Sequence, residues 1–239
     1  ARPLPFRIIS RMLGYATDEN YEVLDWTDAY AMGGCGPNHV TDEVVMAFDQ
    51  FMEHHEELLE EKKACPGPGL LNLWMDAELD GKKLSEDKLL YEHNLLLVGG
   101  SETTRTAIAA GPQALMAHPD QLAWLREHVD DVSVLNTAVE EMIRFSCPFV
   151  RMRRTATQDV ELHGKTIREG DQVVMFYPAA NRDPRAFEDP QVFAVRRKNR
   201  LPSLSFGVGK HFCIGSNLAR LETRIVLEVV LRGLHRQLL

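Results

Sequence analysis

The residues best suited to chemistry in this chain surround a cysteine in its C-terminal part. Cys213 follows a glycine-punctuated turn within residues 206–215 and precedes a stretch from Ser216 with helical character. Free amides and the helix dipole at a helix N-terminus favour the thiolate form of cysteine. Glycines permit the close approach of a flat ligand that a Cβ would obstruct, and His211 could reach an anionic group at its edge. The pattern predicts a thiolate ligand for a flat cofactor.

A buried cysteine in a glycine turn is the ordinary alternative for a lone cysteine. Here Phe206, Gly207, His211, Cys213 and Gly215 stand in register and closely resemble the haem-binding loop of cytochrome P450, with histidine where many members carry arginine. A thiolate axial ligand pushes electron density onto haem iron and favours O–O cleavage. The resemblance implies haem b (iron protoporphyrin IX) as the cofactor, Cys213 as the iron ligand and the other four residues as cofactor-binding.

A second group of residues lies inside a predicted long helix. Two adjacent glycines, Gly99 and Gly100, each cost about 1 kcal/mol relative to alanine in a helix interior, which suggests a close approach to the backbone. Glu102 beside Thr103 could organise a water chain and relay protons; a kinked helix with a solvated glutamate is the alternative. The segment resembles the oxygen-activating part of the P450 distal helix. That resemblance implies that Thr103 and Glu102 are catalytic and that the glycines leave room for oxygen and substrate.

A third pattern, Glu141 and Arg144, places opposite charges three residues apart on one helix face. Such a pair on a surface helix is worth only about 0.2–0.5 kcal/mol, and Glu140 is a rival partner for Arg144. The pattern resembles the P450 Glu-x-x-Arg motif, which is buried and binds a second arginine. The resemblance implies a structural role for Glu141, Arg144 and Arg197, with Arg196 as the alternative to Arg197.

Arg154 opens a predicted strand, and by the same resemblance it would share the haem propionates with His211, since guanidinium suits carboxylate recognition. The expected substrate-pocket residues are small or mostly apolar: Leu96, Gly99, Gly100, Pro148, Phe149, Val150 and Met152. An apolar pocket favours a hydrophobic substrate. Residues 95–105 are similar to the actinobacterial group that hydroxylates steroids, terpenoids and branched lipids, so such a substrate is expected.

The resemblance implies a haem-thiolate monooxygenase that inserts one oxygen atom from O2 into a hydrophobic small molecule. Electrons would come from a ferredoxin-type donor with its NAD(P)H-dependent reductase. Two alternatives are a peroxide-driven haem-thiolate enzyme and a non-catalytic haem-binding fragment. The Glu102–Thr103 pair argues against the first, because peroxide-using relatives commonly lose it.

The elements that must position these residues are mostly helical with a small β part, which corresponds to a partial P450 fold. One domain fragment is expected over residues 1–239, lacking an N-terminal part and a C-terminal hairpin. Its expected parts are a lid-helix region over about 1–70, a distal helix over 85–118, a Glu-x-x-Arg helix over 133–146, a β region over 151–177, a meander and cysteine loop over 178–213, and a proximal helix over 214–234. Ser85 is the expected N-cap of the distal helix, and Pro112 is expected to end or kink it.

Composition limits the other functions. The 239 residues are 44% hydrophobic and 26% charged, and the net charge of −8 argues against nucleic-acid binding. No apolar run reaches the roughly 18 residues of a membrane span. The four cysteines are widely spaced, which fits a reducing compartment. The cytoplasm is the expected location.

Overall fold

The computed structural model describes residues 3–15, 21–33, 40–198 and 201–236. The helices are α1 (Pro3–Leu13), α2 (Tyr21–Gly33), α3 (Asp42–Ala64), α4 (Leu70–Asp76), α5 (Glu86–Met116), α6 (Pro119–Glu127), α7 (Val132–Ser146), α8 (Tyr177–Ala180) and α9 (Ser216–Arg236). The strands are β1 (Glu78–Leu79), β2 (Lys82–Lys83), β3 (Arg151–Thr155), β4 (Val160–Leu162), β5 (Lys165–Ile167) and β6 (Gln172–Phe176). The predicted class, mostly α with a small β part, is confirmed.

The chain divides into two compact units, residues 1–105 and 106–239, with the boundary inside α5. The expectation of a single domain stays a prediction. Within the described ranges, no helix is both long and apolar enough to cross a bilayer.

The first unit contains α1 to α4, the β1–β2 hairpin and the N-terminal part of α5. α3 begins after Thr41, whose hydroxyl accepts a hydrogen bond from the Val44 amide at 3.4 Å, and two acidic residues follow in its first turn. The core of this unit is formed by buried apolar side chains from all four of these helices and from α5: Phe6, Ile9, Leu13, Val23, Leu24, Phe51, Leu58, Leu59, Leu71, Leu89 and Leu97.

The long helix α5 begins as predicted at Ser85, whose hydroxyl accepts from the Lys88 amide at 3.4 Å. Pro112 does not end it, since the helix continues to Met116. Proline removes one backbone donor, but the next turn closes normally, with the Ala117 amide 3.2 Å from the Gln113 carbonyl oxygen. Of the two expected effects of Pro112, to end or to kink the helix, the structure therefore excludes the first.

The second unit is built on α7 and α9, whose facing sides share a core with Phe193 and Val195. α7 begins after Asp131, whose carboxylate accepts from two amides, and ends at Cys147 in a left-handed conformation. β3 pairs antiparallel with β6, from Arg151 opposite Phe176 to Thr155 opposite Gln172.

The β4–β5 hairpin has a two-residue turn. His163 and Gly164 form the turn with φ of +49° and +74°, and Lys165 already belongs to β5. Positive φ at both central residues is what a type I′ hairpin turn requires. The short helix α8, at the start of the meander, was not predicted from the sequence.

Candidate functional site

The cysteine loop lies in the second unit and is ordered by its own backbone. The Cys213 amide donates to the Phe206 carbonyl at 2.9 Å, and the Phe212 amide donates to the Gly209 carbonyl at 3.0 Å. Gly207 and Gly209 have φ of +69° and +74°, where a side chain would be strained. The loop holds the thiol of Cys213 exposed, three residues before α9 begins.

The surroundings of this thiol fit a haem. Three neighbouring apolar side chains, Val208, Phe212 and Ile214, are 66%, 50% and 89% exposed, which is unusual for a cluster of large hydrophobic residues. A Cβ at Gly215 would lie 3.9 Å from the Cys213 sulfur, so its absence keeps that side open. A soft thiolate beside an apolar surface is a donor set that suits haem iron.

The other expected cofactor-binding residues lie in the same unit. Phe206 is half-buried and packs under the Arg220 guanidinium, whose carbon is 4.4 Å from the ring centroid. His211 and Arg154 are exposed cations or potential cations, and Arg154 donates to the Arg153 carbonyl at 2.9 Å. Both side chains are available to an anionic ligand.

The remaining described cysteines differ from Cys213. Cys147 is 1% exposed, and burial raises the pKa of its thiol, which donates to the Phe149 carbonyl oxygen at 3.6 Å. Cys65 is exposed at the end of α3, and the segment that follows it leads into α4. Cys35 lies outside the described residues. Among the described cysteines, Cys213 is therefore the one whose exposed thiol lies in a loop with its own backbone hydrogen bonds.

Glu141 is the centre of a buried charge cluster. Its carboxylate accepts from Arg144 at 2.7 and 2.8 Å, from the Arg197 Nε at 3.0 Å and from the Ala194 amide at 2.8 Å. The side chains of Glu141, Arg144 and Arg197 are 1%, 0% and 9% exposed. Such a carboxylate compensates two guanidinium groups at once.

Arg196 and Glu140, the alternative members of this cluster, have other partners. Arg196 lies over the Trp124 ring, with its guanidinium carbon 4.9 Å from the centroid. Glu140 pairs with Arg220 of α9. The structure thus places Arg197 and Arg144, rather than Arg196, on Glu141.

Arg144 connects this cluster to the meander. Its guanidinium donates to the Asn181, Pro190 and Val192 carbonyl oxygens at 2.8, 2.9 and 3.2 Å. These bonds fix the backbone between α8 and the cysteine loop.

Sequence reasoning missed the role of Asn181 and Ser205, which are both buried. The Asn181 side chain accepts from the Leu204 amide at 2.7 Å and donates to the Ser205 hydroxyl at 2.8 Å. Ser205 in turn donates to the Ile143 carbonyl at 3.0 Å. This chain of bonds ties α7 to the residues just before the loop, and nothing in residue type or spacing signalled it.

The Glu102–Thr103 segment lies in the first unit. The Thr103 hydroxyl donates to the Gly99 carbonyl at 2.8 Å, so its oxygen is left to accept. Glu102 pairs with Arg105, whose Nη1 is also 3.1 Å from both carboxylate oxygens of Asp28 on α2. The three charged side chains are 20–29% exposed, and together they hold the Glu102 carboxylate in place.

The expected pocket residues of α5 have different surroundings. Gly99 is exposed and a Cβ there would meet no atom within 4 Å, whereas a Cβ at Gly100 would lie 3.1 Å from Ile9 of α1. Leu96 is half-buried and packs on the core of the first unit. Leu95 was not among the predicted pocket residues. Its side chain is 65% exposed, and it lies one turn before Gly99 on the same face of α5. The i, i+4 spacing from Gly99 could have identified it.

The pocket residues of the second unit are more open. Pro148 and Met152 are half-buried, and Phe149 and Val150 are 40% and 53% exposed. Met152 lies on β3, and the other three lie in the connection between α7 and β3.

The fold and the cysteine loop together define a mostly helical protein of the haem-thiolate class. The family model described as cytochrome P450 matches residues 35–237. The chain therefore belongs to the cytochrome P450 family, and this membership implies haem b as its cofactor.

Known proteins show the same likeness. The chain is 36% identical to a steroid C26-monooxygenase of Mycolicibacterium smegmatis, over 98% of this chain and 58% of the relative. It is 38% identical to a methyl-branched lipid omega-hydroxylase of Mycobacterium bovis, over 97% and 54%. The crystal structure of P450BioI in complex with hexadec-9Z-enoic acid ligated acyl carrier protein matches with a TM-score of 0.88 and 33% identity, over 97% and 59%. The P450 fold is thereby confirmed, and the chain spans between half and two thirds of the length of these relatives.

Proposed function

We propose that the protein is a haem-thiolate monooxygenase that inserts one oxygen atom from O2 into a hydrophobic substrate. The balanced reaction is RH + O2 + two electrons + two protons giving ROH and water. The observation that carries the proposal is the acid–alcohol pair of α5, in which both side chains are held by defined partners. A family member that only stored or bound haem would not need this pair.

Haem, when bound, would supply the iron at which O2 is reduced. In the second unit, Cys213 would hold the iron, and Arg154 and His211 would hold the propionates. Gly207 and Gly215 would leave room for the flat ring, and Phe206 would pack beside it. The cluster of Glu141, with Arg144 and Arg197, would keep the backbone before the loop in position.

In the first unit, Thr103 and Glu102 would deliver protons. The Thr103 hydroxyl hydrogen is engaged with Gly99, so the hydroxyl oxygen is oriented to accept a hydrogen bond from the oxygen species or from water. The Glu102 carboxylate, positioned by Arg105 and Asp28, would pass protons to that water. Gly99 would leave space beside the hydroxyl.

Electrons would come from a ferredoxin-type donor served by an NAD(P)H-dependent reductase. Basic side chains lie in and after the cysteine loop, with Lys210 exposed and Arg224 half-buried. A local positive surface on a chain of net charge −8 would attract an acidic partner and speed its association.

The proposed substrate is a steroid, terpenoid or branched lipid. Each unit has exposed apolar pocket candidates that could contact a hydrophobic molecule, Leu95 in the first unit and Phe149 and Val150 in the second. The similarity to a steroid C26-monooxygenase and to a methyl-branched lipid omega-hydroxylase supports this class. Leu96 and Gly100 stay candidates, although in this structure they contact the core and Ile9.

Replacement of Thr103 by alanine tests the activity and the proton-delivery role together. With ferredoxin, reductase, NADH and O2, the parent protein should form hydroxylated product. Thr103→Ala should still consume NADH but release mostly hydrogen peroxide, with product per NADH reduced by about 100-fold, the lower end of the range that a positioned proton-transfer group contributes. Substrate affinity should change little, because the hydroxyl acts after binding.

Thr104→Ala is the matched control, since Thr104 is the adjacent threonine and is 4% exposed. Its coupling should stay near the parent value. Equal loss in both variants would exclude Thr103 as the specific residue. Product formation by the parent with hydrogen peroxide alone, at the rate of the full electron chain, would contradict the monooxygenase assignment.

A panel of ligands tests the substrate class. Steroid ketones, terpenoids and branched fatty acids should shift the ferric haem from low to high spin as water leaves the iron, and the shift should saturate as each ligand is titrated. Leu95→Phe should weaken the binding of the longest ligands most, because the larger side chain would occupy space beside Gly99 on the same face of α5. A shift produced only by polar macrolides or small aromatics would refute the substrate class and leave the monooxygenase assignment intact.

A further inference from the structure

The first unit contains a buried pair of histidines that the proposed activity does not use. His55 of α3 and His93 of α5 are 0% and 1% exposed. Their Nε2 atoms are 3.2 Å apart, and their ring centroids are 3.6 Å apart with 50° between the planes. An in-line hydrogen bond or a shared metal ion would spread the centroids much farther apart than the nitrogens. The two rings therefore lie side by side in contact.

The surroundings of the pair are aromatic and poorly supplied with hydrogen-bond partners. Phe51 packs edge-on against His55, and the Tyr15 ring is 5.5 Å from that of His93. The His55 Nδ1 and the Tyr15 hydroxyl are buried without a hydrogen-bond partner among the described residues. Within the same residues, no three His, Cys, Asp or Glu side chains are arranged to hold a metal ion. A proton added at the His55 Nδ1 would therefore have no hydrogen-bond acceptor among the described residues.

We propose that His55 and His93 form an acid-sensitive latch, which packs α3 on α5 while both rings are neutral and opens when they are protonated. The proposal does not depend on the monooxygenase activity. It follows from the contact of two ionisable rings inside an apolar core, where a charge is costly unless it is paired. The latch would make the stability of the first unit depend on pH in the range where an unperturbed histidine changes charge.

The surroundings of the two histidines lower the pKa of both rings and so favour their neutral forms. Burial lowers the pKa of His55 to about 3, and the neighbouring His54 lowers it further. Burial, His55 and His54 lower the pKa of His93 well below 6.5. Glu57 and Glu61 of α3 and Glu22 of α2 raise the pKa of His54, but burial outweighs them. Tyr15, whose pKa is raised by burial, stays neutral.

The direction of the effect follows from linkage. A base whose pKa is lowered in the packed state takes up a proton only when it opens, so packing is favoured above the ordinary pKa of 6.5 and weakens as the pH falls below it. Between about pH 7.5 and pH 5.5, each such histidine should increase the opening constant about tenfold, and the pair about 100-fold.

Hydrogen exchange of the haem-loaded protein measures this opening directly. After correction for the intrinsic exchange rates, amides of α3 and α5 near the pair should lose about 100-fold of protection between these pH values. His93→Leu should lose about tenfold less protection than the parent, and the double variant His55→Leu/His93→Leu should keep only the weaker dependence that comes from the lowered pKa of His54. His163→Asn is the control, because His163 is exposed in the β4–β5 turn and asparagine tolerates its positive φ; it should behave as the parent.

Two results would overturn the proposal. One is a pH dependence in the double variant equal to that of the parent. The other needs no variant: NMR titration of the parent histidine rings should show two rings that stay neutral at pH 5.5, and ordinary titration near 6.5 of all described histidines would show that no such latch exists.

Discussion

Cys213→Ser should abolish the red-shifted Soret band of the reduced, CO-bound protein, because a serine hydroxyl cannot replace the thiolate that donates electron density to iron. The effect should be complete, since an axial ligand is either present or absent. The measurement is the visible spectrum of the purified variant after reduction under CO. Haem content, determined separately, distinguishes a changed ligand from a lost cofactor.

The other cysteines are the matched controls for this prediction. Cys35→Ser, Cys65→Ser and Cys147→Ser should all keep the shifted band. Cys147→Ser is the most demanding of them, since its thiol is buried and hydrogen-bonded, and some loss of stability is expected. A band that survives in Cys213→Ser but disappears in Cys147→Ser would show that the ligand was assigned to the wrong residue.

Glu141→Gln should lower the free energy of unfolding by about 3–5 kcal/mol, the usual cost of leaving buried charges without their counter-ion. The neutral amide would face Arg144 and Arg197, of which Arg144 is fully buried. It would also place an amide NH2 close to guanidinium donors. Urea denaturation, followed by a probe in the second unit, measures the change.

Arg196→Ala and Arg197→Ala form the matched comparison for this cluster. They are adjacent in sequence, but Arg197 binds Glu141 and Arg196 lies over Trp124 at the surface. Arg197→Ala should cost several kcal/mol, whereas loss of an exposed cation–π contact should cost about 0.5–1 kcal/mol. Equal effects would show that the buried cluster is not what stabilises the meander.

Much of the fold could be predicted because the sequence signals were local. The N-caps Thr41 and Ser85 and the apolar face of α7 determine where helices begin and which side is buried. The cysteine loop was also predictable, because its three glycines, histidine and cysteine all lie within the nine positions 207–215. Pro112 was a less decisive signal, since a proline in a helix is tolerated when the following turns keep their bonds.

The details of the site depended on contacts that are distant in sequence. Whether Arg196 or Arg197 reaches Glu141 is decided by the path of the meander, which no periodicity encodes. Gly100 and Leu96 illustrate the same limit, because α1 and the core of the first unit determine which face of α5 is occupied. The His55–His93 contact joins residues 38 positions apart, and neither their residue type nor their spacing indicates it.

The bonds from Arg144 and Arg197 to the meander end on main-chain carbonyl oxygens, including those of Asp189, Pro190 and Val192. A carbonyl oxygen is present whatever the side chain, so these bonds by themselves do not restrict the residue types there; only Asp189, with φ of +44°, is limited by its backbone to residues that tolerate positive φ. The number of residues is not free, because one insertion or deletion would move every carbonyl away from its guanidinium. Related sequences should therefore drift in composition across this segment while keeping its length constant.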